Sequence, residues 1–379
     1  SISQLTNFLL AIKAKGLNML RATNNRRTSN NVEKDSLQMA KHGNGPLKPV
    51  NAQGLQTKRE AREILALKPS NPAPVETAQK SQRINLQDAE TKCLAMADDI
   101  YKYLVHHEKK YLLEECFMEG GEPTPKMRRI LVDWLVQVHV RFHLTPETLH
   151  LTVFILDRML QKKVTSKADL QLLGISAMFV ASKFEEVYLP DIHDYEFITE
   201  NTYSKKQILA MEQTILNSLN FDLSCPSSLV FLRCLSRILS ENDASPIDNQ
   251  AFCYTYNISK CLGELALLDS VMASTPRSHI ASASMIIALE VHPVDGIEAE
   301  NAVSVICKQL GASKKVIEDA VALLAEVSYK NFKQGKLVAI KNKYQSSKLA
   351  QVSNLMTDDV LEKINRMGQN AKVDASEME

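Results

Sequence analysis

Arg128 and Asp133 stand inside an otherwise apolar run, Met127-Arg-Arg-Ile-Leu-Val-Asp-Trp-Leu-Val-Gln-Val138. Charges carried into a helix that buries most of its surface need partners, and Asp157, in the next helical stretch, is the candidate for Arg128. In the same run Met127, Ile130, Leu131 and Trp134 recur at i, i+3, i+4 and i+7. Leu135, Val138 and Phe142 extend an adjoining face, so the apolar arc is wider than one core contact needs. Such a stripe is ordinarily core. Bond-making chemistry has less support. There is no glycine-rich phosphate loop, no His-Glu-x-x-His and no Gly-x-Ser-x-Gly. The nine histidines do not gather with cysteines or carboxylates at ligand spacing, and a protein kinase's catalytic-loop and metal-binding motifs are missing. The expectation is a binding protein without catalysis, metal or cofactor.

The elements that position these residues are helical. From about Asp88 apolar residues follow a 3.6-residue period, with almost no strand-like alternation. Leu94, Ile100, Tyr103 and Leu104 suggest a first amphipathic helix, and Gly120-Gly121-Glu122-Pro123 breaks the chain after it. Five helices should follow: 126–142, one opened by Thr145-Pro146-Glu147 and running to about Lys162, 167–186, a short one from Pro190, and one capped by Thr202 or Ser204 that ends near Leu219. Cys225-Pro226 opens a second half with helices expected at 227–240, 248–270, 277–291, 299–309 and 313–332; the last 45 residues read as polar and mixed. Gly174-Ile-Ser-Ala-Met-Phe-Val-Ala181 lines up with Ala281-Ser-Ala-Ser-Met-Ile-Ile-Ala288, two apolar helices dotted with small residues that let neighbours approach closely. Each is expected to be the axis of its own five-helix bundle.

The chain of 379 residues is long enough for two domains and a tail. Its net charge of +1 conceals a division: residues 1–87 hold 14 Lys/Arg against five Asp/Glu, and the remainder is acidic. The same stretch has one aromatic, Phe8, and too few apolar groups to offset the entropy of ordering, so it reads as a disordered basic tail. An acidic folded part is a poor match for phosphate backbones, so no nucleic acid is expected. No run of 18 apolar residues occurs, so no membrane is expected either. Seven scattered cysteines without Cys-x-x-Cys spacing fit reduced thiols of the cytosol or nucleus. Residues 1–20 have the leucines, basic residues and lack of acids of a mitochondrial presequence. The preferred reading is that residues 1–18 are an extension ahead of a start at Met19.

Met127-Arg-Arg-Ile-Leu-Val-Asp-Trp-Leu resembles the cyclin-box signature, and Leu170-Gln-Leu-Leu-Gly, Ala181-Ser-Lys-Phe-Glu-Glu186 and Met211-Glu212 follow in the family's order. The resemblance covers roughly residues 88–350. Trp-Leu-Val-Gln-Val and Lys341-Asn-Lys-Tyr-Gln-Ser-Ser-Lys348 are more similar to the B-type group than to the A-type. It implies an all-α fold of two tandem five-helix cyclin-box repeats preceded by an N-terminal helix and the tail. The parts are then the tail at 1–87, the N-terminal helix and linker at 88–125, a first, kinase-binding repeat at 126–224, a second repeat at 225–335, and a C-terminal extension at 336–379. A transcription-factor adaptor shares this fold but would carry a zinc ribbon and a basic fold; a helical enzyme would need a site that is not found.

The resemblance implies roles residue by residue. Arg128 and Asp157 are similar to the family's internal ion pair, with Leu172 as the apolar member of the same set. Lys183 and Glu212 are similar to the pair that meets a cyclin-dependent kinase, and both are expected to face water in the free chain. Ile100, Tyr103, Phe184, Leu216 and Phe221 match apolar positions lining that interface. The second repeat has Glu290 where the first has Lys183, so it is expected to support the fold or bind other proteins. Met127, Ile130, Leu131 and Trp134, joined by Leu170 and Gln171, match a surface patch for Arg-x-Leu peptides of substrates or inhibitors; Gln137 replaces an acid of A-type members. The tail should carry a degradation signal, Arg-x-x-Leu-x-x-x-x-Asn, read by the ubiquitin ligase of mitotic exit. Arg62–Leu65 and Arg83–Leu86 fit its first half, and Arg62–Leu65 is preferred because it lies within the tail, although Ser70 stands at the ninth place. The expected activity is allosteric activation of the kinase catalytic subunit at G2/M, with cell-cycle-dependent residence in nucleus and cytoplasm.

Overall fold

The computed structural model describes residues 99–163, 165–241 and 249–376. The tail, with Arg62, Leu65 and Arg83–Leu86, and Leu94 of the first helix lie outside the described residues. The first described element, α1 (99–108), is followed by a 3-10 turn at Lys109–Tyr111. Then come α2 (Pro125–Phe142), α3 (Pro146–Gln161), α4 (Leu170–Glu185), α5 (Ile192–Ile198) and α6 (Lys205–Ser218). The second set is α7 (Ser228–Glu241), α8 (Asn249–Ala266), the one-turn α9 (Ser270–Ser274), α10 (Arg277–Val291), α11 (Ala299–Leu310) and α12 (Lys314–Gln334). A C-terminal extension adds α13 (Ala339–Lys343) and α14 (Asp358–Ser376). Residues 90–379 form one compact unit, and among the described residues no strand occurs and no helix is long and apolar enough to cross a membrane.

Local chemistry sets the boundaries. Thr124 caps α2 by accepting from Met127 N–H, and Pro125 and Pro146 occupy first-turn positions, where a missing N–H costs nothing. Ser204, not Thr202, caps α6 in a reciprocal box with Gln207. α8 stops at Ala266, four residues before the expected end, because Asp269 takes the N–H groups of Val271 and Met272 and opens a new turn. α4 and α10 are the two axes: every residue from Leu170 to Ser182, and nearly every one from Ser278 to Leu289, is buried. Gly174 explains the closeness of α2 and α4, since a Cβ there would lie 3.0 Å from both Leu131 methyl carbons. That contact corrects one expectation. Leu131, with Leu170 and Gln171 at the start of α4, is buried between helices rather than displayed.

The segments flanking the repeats tie the unit together. On α1 it is Tyr101 that is fully buried, meeting Phe231 of α7 edge-on at 5.7 Å between ring centres. Glu108 is also buried and accepts from the Ser278 backbone N–H at 3.0 Å and from its hydroxyl. The extension is ordered too. Asp133 Oδ1 accepts from Ala339 N–H at 3.0 Å, which fixes the start of α13 on α2. Lys343 Nζ donates to both oxygens of fully buried Glu264 at 2.6 and 2.8 Å, and Tyr344 O–H adds a third bond at 3.0 Å.

Candidate functional site

Arg128 is the largest fully buried side chain among the described residues. Its Nε and one Nη meet the two Asp157 oxygens at 2.5 and 2.6 Å, and the other Nη donates to the Leu267 carbonyl at 3.0 Å. One guanidinium therefore joins α2 to α3 and to the segment after α8. The fork geometry satisfies both charges where water cannot.

Lys183 and Glu212 are brought together at the open edge of α4 and α6. Lys183 Nζ lies 2.7 and 2.9 Å from the two Glu212 oxygens and 4.1 Å above the Phe179 ring. The side chains are 41% and 12% exposed. Lys183 faces water as expected, whereas Glu212, expected to do the same, is largely covered. The apolar candidates divide. Ile100, Tyr103, Phe184 and Phe221 are exposed, Tyr103 and Phe221 by more than 60%, while Leu216 is half-buried against the core. Phe221 sits in the left-handed region at φ +57°, directly after Asn220 at +51°. Its N–H bonds to the Leu216 carbonyl at 2.9 Å, closing α6 in a Schellman arrangement. Asparagine tolerates such a place; a bulky aromatic does so at a cost, and strain of this kind gathers at functional surfaces. The loop after α4 adds Val187, Tyr188 and Leu189, exposed apolar residues that periodicity could not single out because they lie outside a helix.

The second candidate surface is smaller than expected. Met127, Ile130, Trp134 and Gln137 remain partly accessible on α2. Gln137 Nε2 donates to Asp133 Oδ2 at 3.1 Å, so it is held by its own helix.

Two histidines of the first repeat are buried, His139 on α2 and His150 on α3. Burial pushes His139 and His150 down to about 4. The sign follows directly. Below pH 6.5 the unfolded chain takes up protons that these imidazoles refuse, so stability falls as pH drops from 6.5 toward 4, by roughly 1 kcal/mol per pH unit for each. Glu108, pushed up by burial, acts in the opposite sense between the usual carboxylate value and its raised one, so the histidine effect is read at the upper end, as pH first drops below 6.5. A melting temperature that falls there is the expected result; a flat one would show that neither imidazole stays neutral.

Residues 99–224 match the family Cyclin, N-terminal domain, and residues 226–358 match Cyclin, C-terminal domain. The G2/mitotic-specific cyclin-B of Patella vulgata is 38% identical over 258 residues, which is 68% of this chain and 59% of that protein. The G2/mitotic-specific cyclin-B2 of Oryzias luzonensis is 39% identical over 274 residues, 72% of this chain and 67% of that one. The X-ray structure of a viral cyclin from herpesvirus saimiri superposes with a TM-score of 0.48 at 21% identity, covering 54% of this chain and 86% of that one. The chain thus matches about three fifths of the Patella protein's length. Two helical repeats, each built on a buried small-residue axis and each matching its own cyclin domain, place the chain in the cyclin family, whose members are regulatory subunits rather than enzymes. Within that family the relatives assign it to the B-type group.

Proposed function

We propose that this chain binds and switches on a cyclin-dependent protein kinase catalytic subunit to drive G2/M passage and mitosis. The observation that supports this most is the α4–α6 edge, where exposed Phe184 and strained, exposed Phe221 accompany the Lys183–Glu212 pair. Large apolar side chains left in water beside a fixed ion pair make a surface ready for a partner. The kinase's regulatory helix would dock there and be held inward, so that its glutamate pairs with the ATP-positioning lysine and the activation loop opens. The purified chain alone should not turn over ATP. Mixed with a cyclin-dependent kinase subunit, it should raise phosphorylation by orders of magnitude; ATP turnover by the pure chain would overturn the reading.

Substrate and inhibitor docking belongs to the same proposal, narrowed to Met127, Ile130, Trp134 and Gln137 with the buried Leu131, Leu170 and Gln171 beneath them. Trp134→Ala should slow phosphorylation of Arg-x-Leu proteins about tenfold or more, as loss of an aromatic anchor does, while sparing short peptides without the motif. An equal loss on both classes would make Trp134 a core residue. Removal at mitotic exit through Arg62–Leu65 and the ubiquitin ligase, and movement between cytoplasm and nucleus, complete the proposal.

A further inference from the structure

Tyr103 and Phe221 are exposed, and they lie far apart in the sequence, one on α1 and one after α6. One buried side chain connects to the surroundings of both. Tyr111, in the turn after α1, is only 2% exposed, and its ring is anchored edge-on against Phe154 of α3 at 5.8 Å between ring centres. Its hydroxyl donates to Asp222 Oδ1 at 2.8 Å, lies 2.9 Å from Ser224 Oγ and lies 3.4 Å from His107 Nε2. A tyrosine kept for core packing needs its ring and one partner for its O–H. This one gathers three polar groups from two distant segments.

On one side the bonds end beside Phe221. Asp222 follows it directly; Lys110 Nζ lies 2.5 Å from Asp222 Oδ2, and Ser224 O–H donates to Oδ1 at 2.9 Å. The Lys110 bond, against partial burial and with the bonds from Tyr111 and Ser224, holds this carboxyl well below the usual carboxylate range. Asn220 and Phe221 stand in the left-handed region, and Asp222 N–H donates to the Leu219 carbonyl at 3.0 Å. A strained turn of this kind persists where its neighbours over-determine it, and the three bonds on the Asp222 carboxylate do so. On the other side lies Tyr103. His107 stacks on it at 5.5 Å between ring centres and 12° between planes, and meets Tyr111 edge-on at 5.2 Å. Spaced four residues apart, Tyr103, His107 and Tyr111 form one row of rings.

We propose that Tyr111 is a positioning residue for kinase binding: through Asp222 it fixes the turn that presents Phe221, and through His107 it steadies Tyr103, so that two side chains remote in sequence meet the kinase already ordered. Ordering them in the free chain removes a cost that docking would otherwise carry. The path is a contiguous set of contacts, and coupling along it is a measurable quantity. The proposal rests on the kinase-docking reading, and the experiment separates the two.

The test titrates a cyclin-dependent kinase subunit against the full chain and its variants, well below every melting midpoint. Phe221→Ala and Tyr103→Ala establish the surface first; if neither weakens binding, the docking reading falls and this proposal with it. Tyr111→Phe keeps the ring and removes the hydroxyl. It should weaken binding on the order of tenfold, comparable with the loss of one hydrogen bond to a charged group. In a Phe221→Ala background the same change should cost less than about threefold, because the turn then has no ring to present. Unchanged binding by Tyr111→Phe, or an equal loss with and without Phe221, overturns the proposal and leaves the hydroxyl to the fold alone. If Tyr111→Phe loses its helical signal, Asp222→Ala takes its place in the cycle. Asp222→Asn, whose side-chain carbonyl still accepts from Tyr111, should then recover most of the binding; equal binding by the two Asp222 variants overturns the proposal.

Discussion

Asp157→Ala is expected to lower the free energy of unfolding by about 3–5 kcal/mol, the usual result of stranding one member of a buried ion pair. Arg128 is fully buried, and its contacts are the two Asp157 oxygens and the Leu267 carbonyl. Without the carboxylate, a guanidinium that cannot shed its proton keeps one good acceptor at a buried position. Against a total stability of about 5–15 kcal/mol for an ordinary domain, the loss is large. Arg128→Ala should be comparably harmful, because it leaves Asp157 unpaired and opens a cavity as well. The double variant Arg128→Met with Asp157→Leu should recover much of the loss, since apolar groups of similar volume often replace a buried pair at little cost. Urea unfolding followed by circular dichroism measures all three. If the double variant is as unstable as the sum of the single ones, the pair's geometry rather than its stranded charge is what matters.

The helices themselves were largely legible. α10 ends where periodicity ends it, and the caps at Thr124 and Ser204 and the prolines after Thr124 and Thr145 mark their helices in the residues themselves. α14 was not: its stretch reads as polar and mixed, and only the fold shows that Leu361, Ile364 and Gly368 share one buried face. Arg128 with Asp157 could be guessed because a charge in an apolar helix demands a partner and few were available. Glu264 with Lys343 could not, since both look like surface residues and only the fold makes them neighbours. Leu131 shows the converse failure. Its spacing joins it to Trp134, but Gly174 across the helix interface decides that it is buried. Periodicity tells which residues share a face, not what covers that face.

Lys183→Ala and Glu212→Ala should each weaken kinase binding by roughly 30- to several-thousand-fold, corresponding to about 2–5 kcal/mol for truncating one partner of a desolvated charged contact. In the free chain the two side chains hold each other, and Phe179 lies beneath the ammonium. A docking helix would cover this pair and turn a partly wet ion pair into a dry one, where each charge depends on the other and on the partner's backbone groups. The cost to folding is smaller. Lys183 is well exposed, so the pair contributes no more than about 1 kcal/mol to stability. Lys183→Ala should lose slightly more than Glu212→Ala, because it uncovers a carboxylate that is only 12% exposed, whereas the lysine left by Glu212→Ala can turn to solvent. Glu290→Ala, at the matching place in the second repeat, removes an exposed pair with Lys363 and should leave kinase binding unchanged. Titration of a kinase subunit against the three variants, with melting curves recorded on the same samples, separates the cases. Equal loss of binding in all three would move the interface off the first repeat. Loss of the helical signal in Lys183→Ala alone would make Lys183 a structural residue. Retention of fold in all three with loss of binding in two would assign the contact to the edge of α4 and α6.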